Sequence, residues 1–355
     1  MEVNALTWII TIVVIIGFFV FDFYSHVKTP HEPTLKESAL WSLFYIGVAC
    51  FFGLFLWFTW GEPGNPHQHG IEFFAGYVTE KALSVDNLFI FSLILASFKV
   101  PRKYQQKVLL IGIALALVFR GIFIGLGAAV IAAWSDVFYL FGIFLLWTGG
   151  KLVVDEIRGK EDEDPNQMPI IRMLRKVIPV SDSITSDKLV QRNTTGSKHK
   201  WIVTPLLVAL LAIGMIDILF ALDSIPAIYG ITQEPYIVFT ANALALMGLR
   251  QLFFLLDGLL DKLVYLPYGL SVILGFIGVK LVLHALHENK LPFINGGEGV
   301  NVPEVPVELS LLVIVGVLVA TAVLSLIVGK EAGKRKQRKL GEKKKRRTTS
   351  FHLLD

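Results

Sequence analysis

Long apolar runs separated by short polar segments set the pattern of this chain. The apolar runs are Thr7–Phe21, Ala39–Trp60, Ile71–Phe98, Val108–Ala133, Val137–Val154, Trp201–Ile231, Tyr236–Leu256, Leu270–Leu286 and Val307–Val328. A helix needs about 20 mainly apolar residues to cross the hydrocarbon of a bilayer, so the pattern predicts an all-α polytopic membrane protein of nine transmembrane helices. No basic residue precedes the first run and no small-residue cleavage site follows it, which predicts a retained span rather than a signal peptide. Asp22 closes that span beside a polar loop and reads as an interfacial residue. The segments between the runs divide the chain into two N-terminal helices (1–70), three helices (71–154), a polar loop (155–200), three more helices (201–286), a loop with a last helix (287–329) and a basic tail (330–355). Within the polar loop, Ile170, Ile171, Met173, Leu174, Val177 and Ile178 alternate with arginine and lysine, as in a short helix lying on a membrane surface. The acidic cluster Glu161–Asp164 ahead of it reads as a solvated charge run.

Composition supports the membrane reading and narrows the chemistry. The chain has 355 residues, 54% of them hydrophobic, with a mean hydropathy of +0.62. Its net charge of +4 does not indicate nucleic acid, because the basic residues lie between the spans and in the tail, where Lys330–Arg347 holds eleven of them. Assigning alternate sides backwards from that tail gives inner loops with 2, 4, 9 and 1 lysines or arginines, against a single one, Lys290, on the outer side. That bias places the N-terminus outside and the C-terminus in the cytoplasm of a bacterial inner or plasma membrane. Cys50 is the only cysteine, so there is no disulfide framework and no thiolate site for a soft metal.

Charges inside the apolar runs carry the functional reading, since an acid at the centre of a span costs about 2.5–3.5 kcal/mol to insert. Glu80, Asp86, Arg120 and Lys151 recur in order as Asp217, Asp223, Arg250 and Lys280, at separations of 137, 137, 130 and 129 residues. Three spans per copy forces the second copy to be upside down, which predicts an inverted repeat of spans 3–5 and 6–8. Residues seven apart on a helix share a face, so Glu80 pairs with Asn87 and Asp217 with Ser224. Asp86 and Asp223 join them only if the helices break, and Gly214 with Pro226 offers a break in the sixth span.

Four carboxylates with amide, hydroxyl and carbonyl oxygens form a set for a hard divalent cation such as Mn2+, Ca2+ or Mg2+, and repel an oxyanion. The expected ligands are Glu80, Asp86, Asn87, Asp217, Asp223 and Ser224. Arg120, Arg250, Lys151, Lys280 and Lys81 are expected to pair with acids in the empty state or to brace the bundle. His67 and His69 offer imidazoles at an outer mouth. Clustered acids also let protons compete with metal, so proton antiport follows, with the metal as substrate and no permanent cofactor. A bundle merely cross-linked by salt bridges does not call for two matched motifs. An intramembrane protease is disfavoured, for there is no HExxH, and His284 with His287 lacks a general base in helical register.

The stretches FFAGY (73–77), EKALSVDNLFIF (80–91), VFRGIF (118–123), RMLRKVIPV (172–180) and IDILFALDSIPAI (216–228) resemble the TerC family of bacterial membrane proteins, in particular its Alx-like branch. The resemblance covers roughly Ile71–Leu286. It implies a core of seven or more spans, kinship with small cation exporters, manganese efflux, and function for Glu80, Asp86, Asp217 and Asp223 with Asn87 and Ser224 beside them. A tellurite pump does not fit an acid-lined path. The alternatives are a membrane scaffold or insertion factor acting through residues 155–200, as relatives with organellar roles suggest, and a Ca2+/H+ exchanger. Expected partners are the metal ion and membrane lipid, with a homodimer left open.

Overall fold

The structure is a computed structural model of the chain and describes residues 3–27, 31–61, 64–134, 136–158, 188–192, 201–256 and 265–328. It is a helical bundle. The helices are α1 (Ala5–Asp22), α2 (Leu35–Thr59), α3 (Gln68–Ser97), α4 (Arg102–Ala133), α5 (Val137–Ile157), α6 (Pro205–Tyr229), α7 (Pro235–Met247), α8 (Leu249–Leu256), α9 (Leu266–His287) and α10 (Val307–Val328). Among the described residues the strands are a short antiparallel pair, Val190–Arg192 with Trp201–Val203, leading into α6. The surface helix and acidic cluster expected between 159 and 187, and the tail from 329, lie outside the described residues.

Local chemistry sets the helix starts. The Asn4 side chain accepts from the Thr7 amide at 2.8 Å, and Thr34 and Glu37 form a reciprocal capping box that starts α2. Proline occupies the first turn of α6, α7 and α9, where its missing N–H costs no hydrogen bond.

Seven of these helices are long and apolar enough to cross a membrane, and α7 with α8 forms an eighth, bent by 42°. The remaining long helix, α3, has 30 residues, about 45 Å at 1.5 Å per residue. It carries Glu72, Glu80, Lys81 and Asp86 along the middle of the bundle rather than an unbroken apolar surface. Burial follows the same division. Nearly all of α7 is buried, whereas α1, α2 and α10 expose large apolar side chains such as Phe51, Phe58 and Leu312, as helices facing lipid do.

Three pairings build the core: α5 lies along α9, α4 along α6 and α3 along α7. Exchanging α3, α4 and α5 for α6, α7 and α9 leaves that set unchanged. The α5–α9 seam is close because of glycine. A Cβ on Gly142 would stand 2.9 Å from the carbonyl oxygen of Gly278, and one on Gly278 would stand 3.0 Å from that of Gly142. Small residues allow this backbone approach between membrane helices, and the Ser271 hydroxyl adds a bond to the Gly149 carbonyl at 2.6 Å.

The expected break in the sixth span is not there. α6 runs unbroken through Gly214 and Pro226. Pro226 falls in the last turn, where its missing N–H removes only the bond to the carbonyl four residues earlier and the helix continues to Tyr229. Gly214 instead packs under Leu115 of α4, whose Cδ2 is 2.8 Å from where a Cβ would stand. The broken span is the seventh, at Gly248 between α7 and α8, where Tyr45 packs against the glycine and Lys81 donates to the Ala245 carbonyl at 2.8 Å. An ammonium there meets carbonyls that the interrupted helix leaves open.

Candidate functional site: a buried arginine shared by two carboxylates

Four helices send polar groups to one point at the centre of the bundle. Arg120 of α4 is fully buried. Its Nε donates to Asp217 Oδ2 at 2.9 Å and its Nη2 to Asp217 Oδ1 at 3.2 Å, a bidentate grip on a carboxylate of α6. Its Nη1 reaches Glu80 of α3, Ser224 Oγ of α6 at 3.0 Å and Asn242 Oδ1 of α7 at 2.8 Å. The Ser84 hydroxyl, one turn beyond Glu80, donates to the same Glu80 oxygen at 3.1 Å. Glu80 and Asp217 are themselves fully buried.

This arrangement bears on the expected spacing. Asp217 and Ser224, seven residues apart on an unbroken helix, do face the same way and meet the same guanidinium. Because α6 is unbroken, Asp223 does not join Asp217 on the guanidinium. It is partly buried and faces a separate cavity of about 240 Å³ together with Asn87 of α3, Thr148, Lys151 and Asp155 of α5, and Ser224. Asp86 lies on α3 between Glu80 and Asn87, but its side chain is outside the described residues.

Capacity for further ligands remains at the cluster. Glu80 Oε2 and Asn242 Nδ2 there, and Thr148 Oγ1 at the Asp223 cavity, are buried without hydrogen-bond partners. Buried polar atoms are ordinarily satisfied, so these are unusual. Among the described residues no three histidine, cysteine or acidic side chains are gathered as a metal cluster; at the centre Arg120 is bonded to Asp217 and to one oxygen of Glu80. The donor set is carboxylate, amide and hydroxyl oxygen, the chemistry of a hard cation.

The other expected charges are placed differently. Arg250, on α8, is not at the central cluster. It pairs with Asp22 at the end of α1, at 2.8 Å, and with Gln106 of α4. Asp22 is therefore a buried partner, 2% exposed, and not an interfacial residue, because the broken seventh span brings α8 back to the end of α1. Lys151 is exposed and lies over the Trp147 ring at 5.5 Å, while Lys280 donates to Ser310 Oγ at 3.1 Å. The two histidines of the expected outer mouth divide. His67 stacks on Trp57, centroids 4.9 Å apart, and His69 is buried against Glu72. Sequence reasoning did not single out Asn242, Glu72, Thr148 or Asp155. The facing partners of each are revealed only by the packing of the helices.

A second cavity, of about 390 Å³, is lined by Gln68, His69 and Glu72 at the start of α3, the α6–α7 connection, and Lys280 and His284 of α9. It meets the last turns of α9, whereas the Asp223 cavity meets Leu270 and Leu274 near the start of that helix. The two cavities thus open toward opposite ends of the bundle.

A multi-pass helical bundle with apolar, lipid-length helices around paired charges at its centre is an integral membrane protein. The chain belongs to the TerC family of integral membrane proteins, which it matches over residues 65–333. It is 48% identical over 326 residues to an uncharacterized membrane protein of Mycobacterium tuberculosis, covering 92% of this chain and 80% of the relative. A protein of Myxococcus xanthus, also an uncharacterized membrane protein, is 37% identical over 326 residues, covering 92% and 93%. A protein of Shigella flexneri named putative membrane-bound redox modulator Alx is 34% identical over 299 residues, covering 83% and 86%. No solved structure matches the chain.

Proposed function

We propose that this protein is a secondary transporter that exports a divalent metal cation, Mn2+ being the best fit, in exchange for protons. The observation that carries the reading is the Arg120 guanidinium held between Glu80 and Asp217 at the bundle centre, with one cavity toward each end. In this account Arg120 is the counter-ion of the empty site. A cation entering past Asp223, Asn87 and Asp155 displaces it from the carboxylates, and protons on the same oxygens complete the exchange. Among the described residues, the wall of the entry cavity carries Asp223 and Asp155 against one cation, Lys151, which favours a cation over an anion. Alternating access would come from rocking of α3–α5 against α6–α9 as inverted halves, and the exchange-invariant pairing of their helices supports that repeat. The excess of lysine and arginine on one side supports an N-terminus outside and a C-terminus in the cytoplasm. Manganese is preferred to calcium on the family resemblance.

Mn2+ uptake into inside-out vesicles tests the proposal. Asp223→Asn and Glu80→Gln are each expected to lower the rate at least about tenfold, as loss of a charged group that meets the cargo does, and rates equal to the unaltered protein would reject these residues as cargo ligands. The printed name of the Shigella relative offers a redox reading. With Cys50 as its sole cysteine, one chain cannot form a dithiol couple, so thiol exchange would require a second molecule. The scaffold reading rests on residues 155–200, and deleting 159–187 with retention of Mn2+ transport would separate the two roles.

A further inference from the structure

We infer that the cavity around Glu72 is a second and weaker divalent-cation site, where cargo pauses between the central acids and the compartment at that end. The inference rests on the export reading above. Glu72 is 5% exposed and His69 3% exposed, so this carboxylate is nearly as sheltered as Glu80. Its neutralisation differs. Glu80 and Asp217 share a guanidinium, whereas among the described residues no lysine or arginine forms a salt bridge with Glu72. Its Oε1 accepts from Gln68 Nε2 at 2.9 Å, and its Oε2 from Thr232 Oγ1 at 2.9 Å and from His69 Nδ1 at 3.1 Å. A carboxylate removed from water needs a compensating charge; the His69 imidazole supplies one only when protonated, and the Lys280 ammonium acts on Glu72 through space while its hydrogen bond goes to Ser310.

Each of the three donors is also a latent ligand. Gln68 presents its carbonyl oxygen when the amide turns over, Thr232 keeps hydroxyl lone pairs, and His69 offers Nδ1 once it carries no proton there. Gln68, His69 and Glu72 lie at i, i+1 and i+4 on the first turns of α3, so Gln68 and His69 both reach the carboxylate without any break in the helix. With one carboxylate and one imidazole, the set is poorer in charge than the central acids, and weak binding is what a release station requires. Glu72 is eight residues from Glu80 on the same helix, about 12 Å along its axis, so cargo passes from one to the other along α3.

Imidazole is the signature that separates this site from the central one, whose described residues include no histidine. Purified protein in lipid nanodiscs would be titrated with Mn2+ and examined by electron spin echo modulation. The unaltered protein is expected to show two classes of bound Mn2+, the weaker one coupled to an imidazole nitrogen. His69→Asn, which keeps a donor to Glu72, is expected to abolish that coupling while the tighter class persists. Glu72→Gln should weaken the same class at least about tenfold, as losing even a supporting group does, and Asp217→Asn should spare it. Mn2+ bound through oxygen alone in the unaltered protein, or nitrogen coupling that survives His69→Asn, would overturn this site and leave the central reading standing. Absence of any bound Mn2+ would overturn both.

Discussion

Arg120 concentrates the energetics of this protein in one side chain. Its five N–H groups meet two carboxylates, a hydroxyl and an amide, a geometry that the planar fork of arginine matches and an ammonium does not. Truncation to Arg120→Met leaves Glu80 and Asp217 as uncompensated buried charges and is expected to cost about 3–5 kcal/mol, read as a lowered Tm in detergent. Adding Glu80→Gln and Asp217→Asn to that variant is expected to restore most of the loss, since both carboxylates that Arg120 neutralises are then gone. If the triple variant melted as low as Arg120→Met, electrostatics would not be the cause. The sequence made part of this legible: the seven-residue spacing of Asp217 and Ser224 gives their shared face. It could not show that Asp223 faces elsewhere, because that depends on α6 remaining unbroken.

At the scale of elements, the break in the seventh span and the seam between α5 and α9 set the geometry. Gly248 interrupts the span, Lys81 meets the carbonyl of Ala245, and α8 is anchored by Arg250 to Asp22. Asp22→Ala should therefore destabilise the protein by about 3–5 kcal/mol, since it strands a buried guanidinium. A thermal melt within error of the unaltered protein would contradict that anchoring. Gly142→Leu would force side-chain atoms against the Gly278 carbonyl and is expected to cost about 1–3 kcal/mol or more, again by thermal melting. The apolar pattern made the helices themselves legible. The break was misplaced because a proline in mid-sequence looks disruptive wherever it falls, while Pro226 sits where α6 was about to end. Glycine at Gly248 has no such signature until Tyr45 is seen packed on it.

For the whole molecule, orientation and transport are the properties at stake. In a Cys50→Ala background, Glu298→Cys lies in the loop that the charge bias places outside. It is expected to react with a membrane-impermeant maleimide in intact cells, and protection until the membrane is permeabilised would invert the topology. The charge order that suggested a repeat was legible from residue spacing alone. Its limits were not, since Arg120 sits among the central acids whereas its counterpart Arg250 secures α8 to α1. Function rests on whether the central carboxylates carry cargo. Proton flux in proteoliposomes driven by a Mn2+ gradient asks this most directly: the account predicts flux for the unaltered protein and its loss in Asp217→Asn. Equal flux in the two would contradict it.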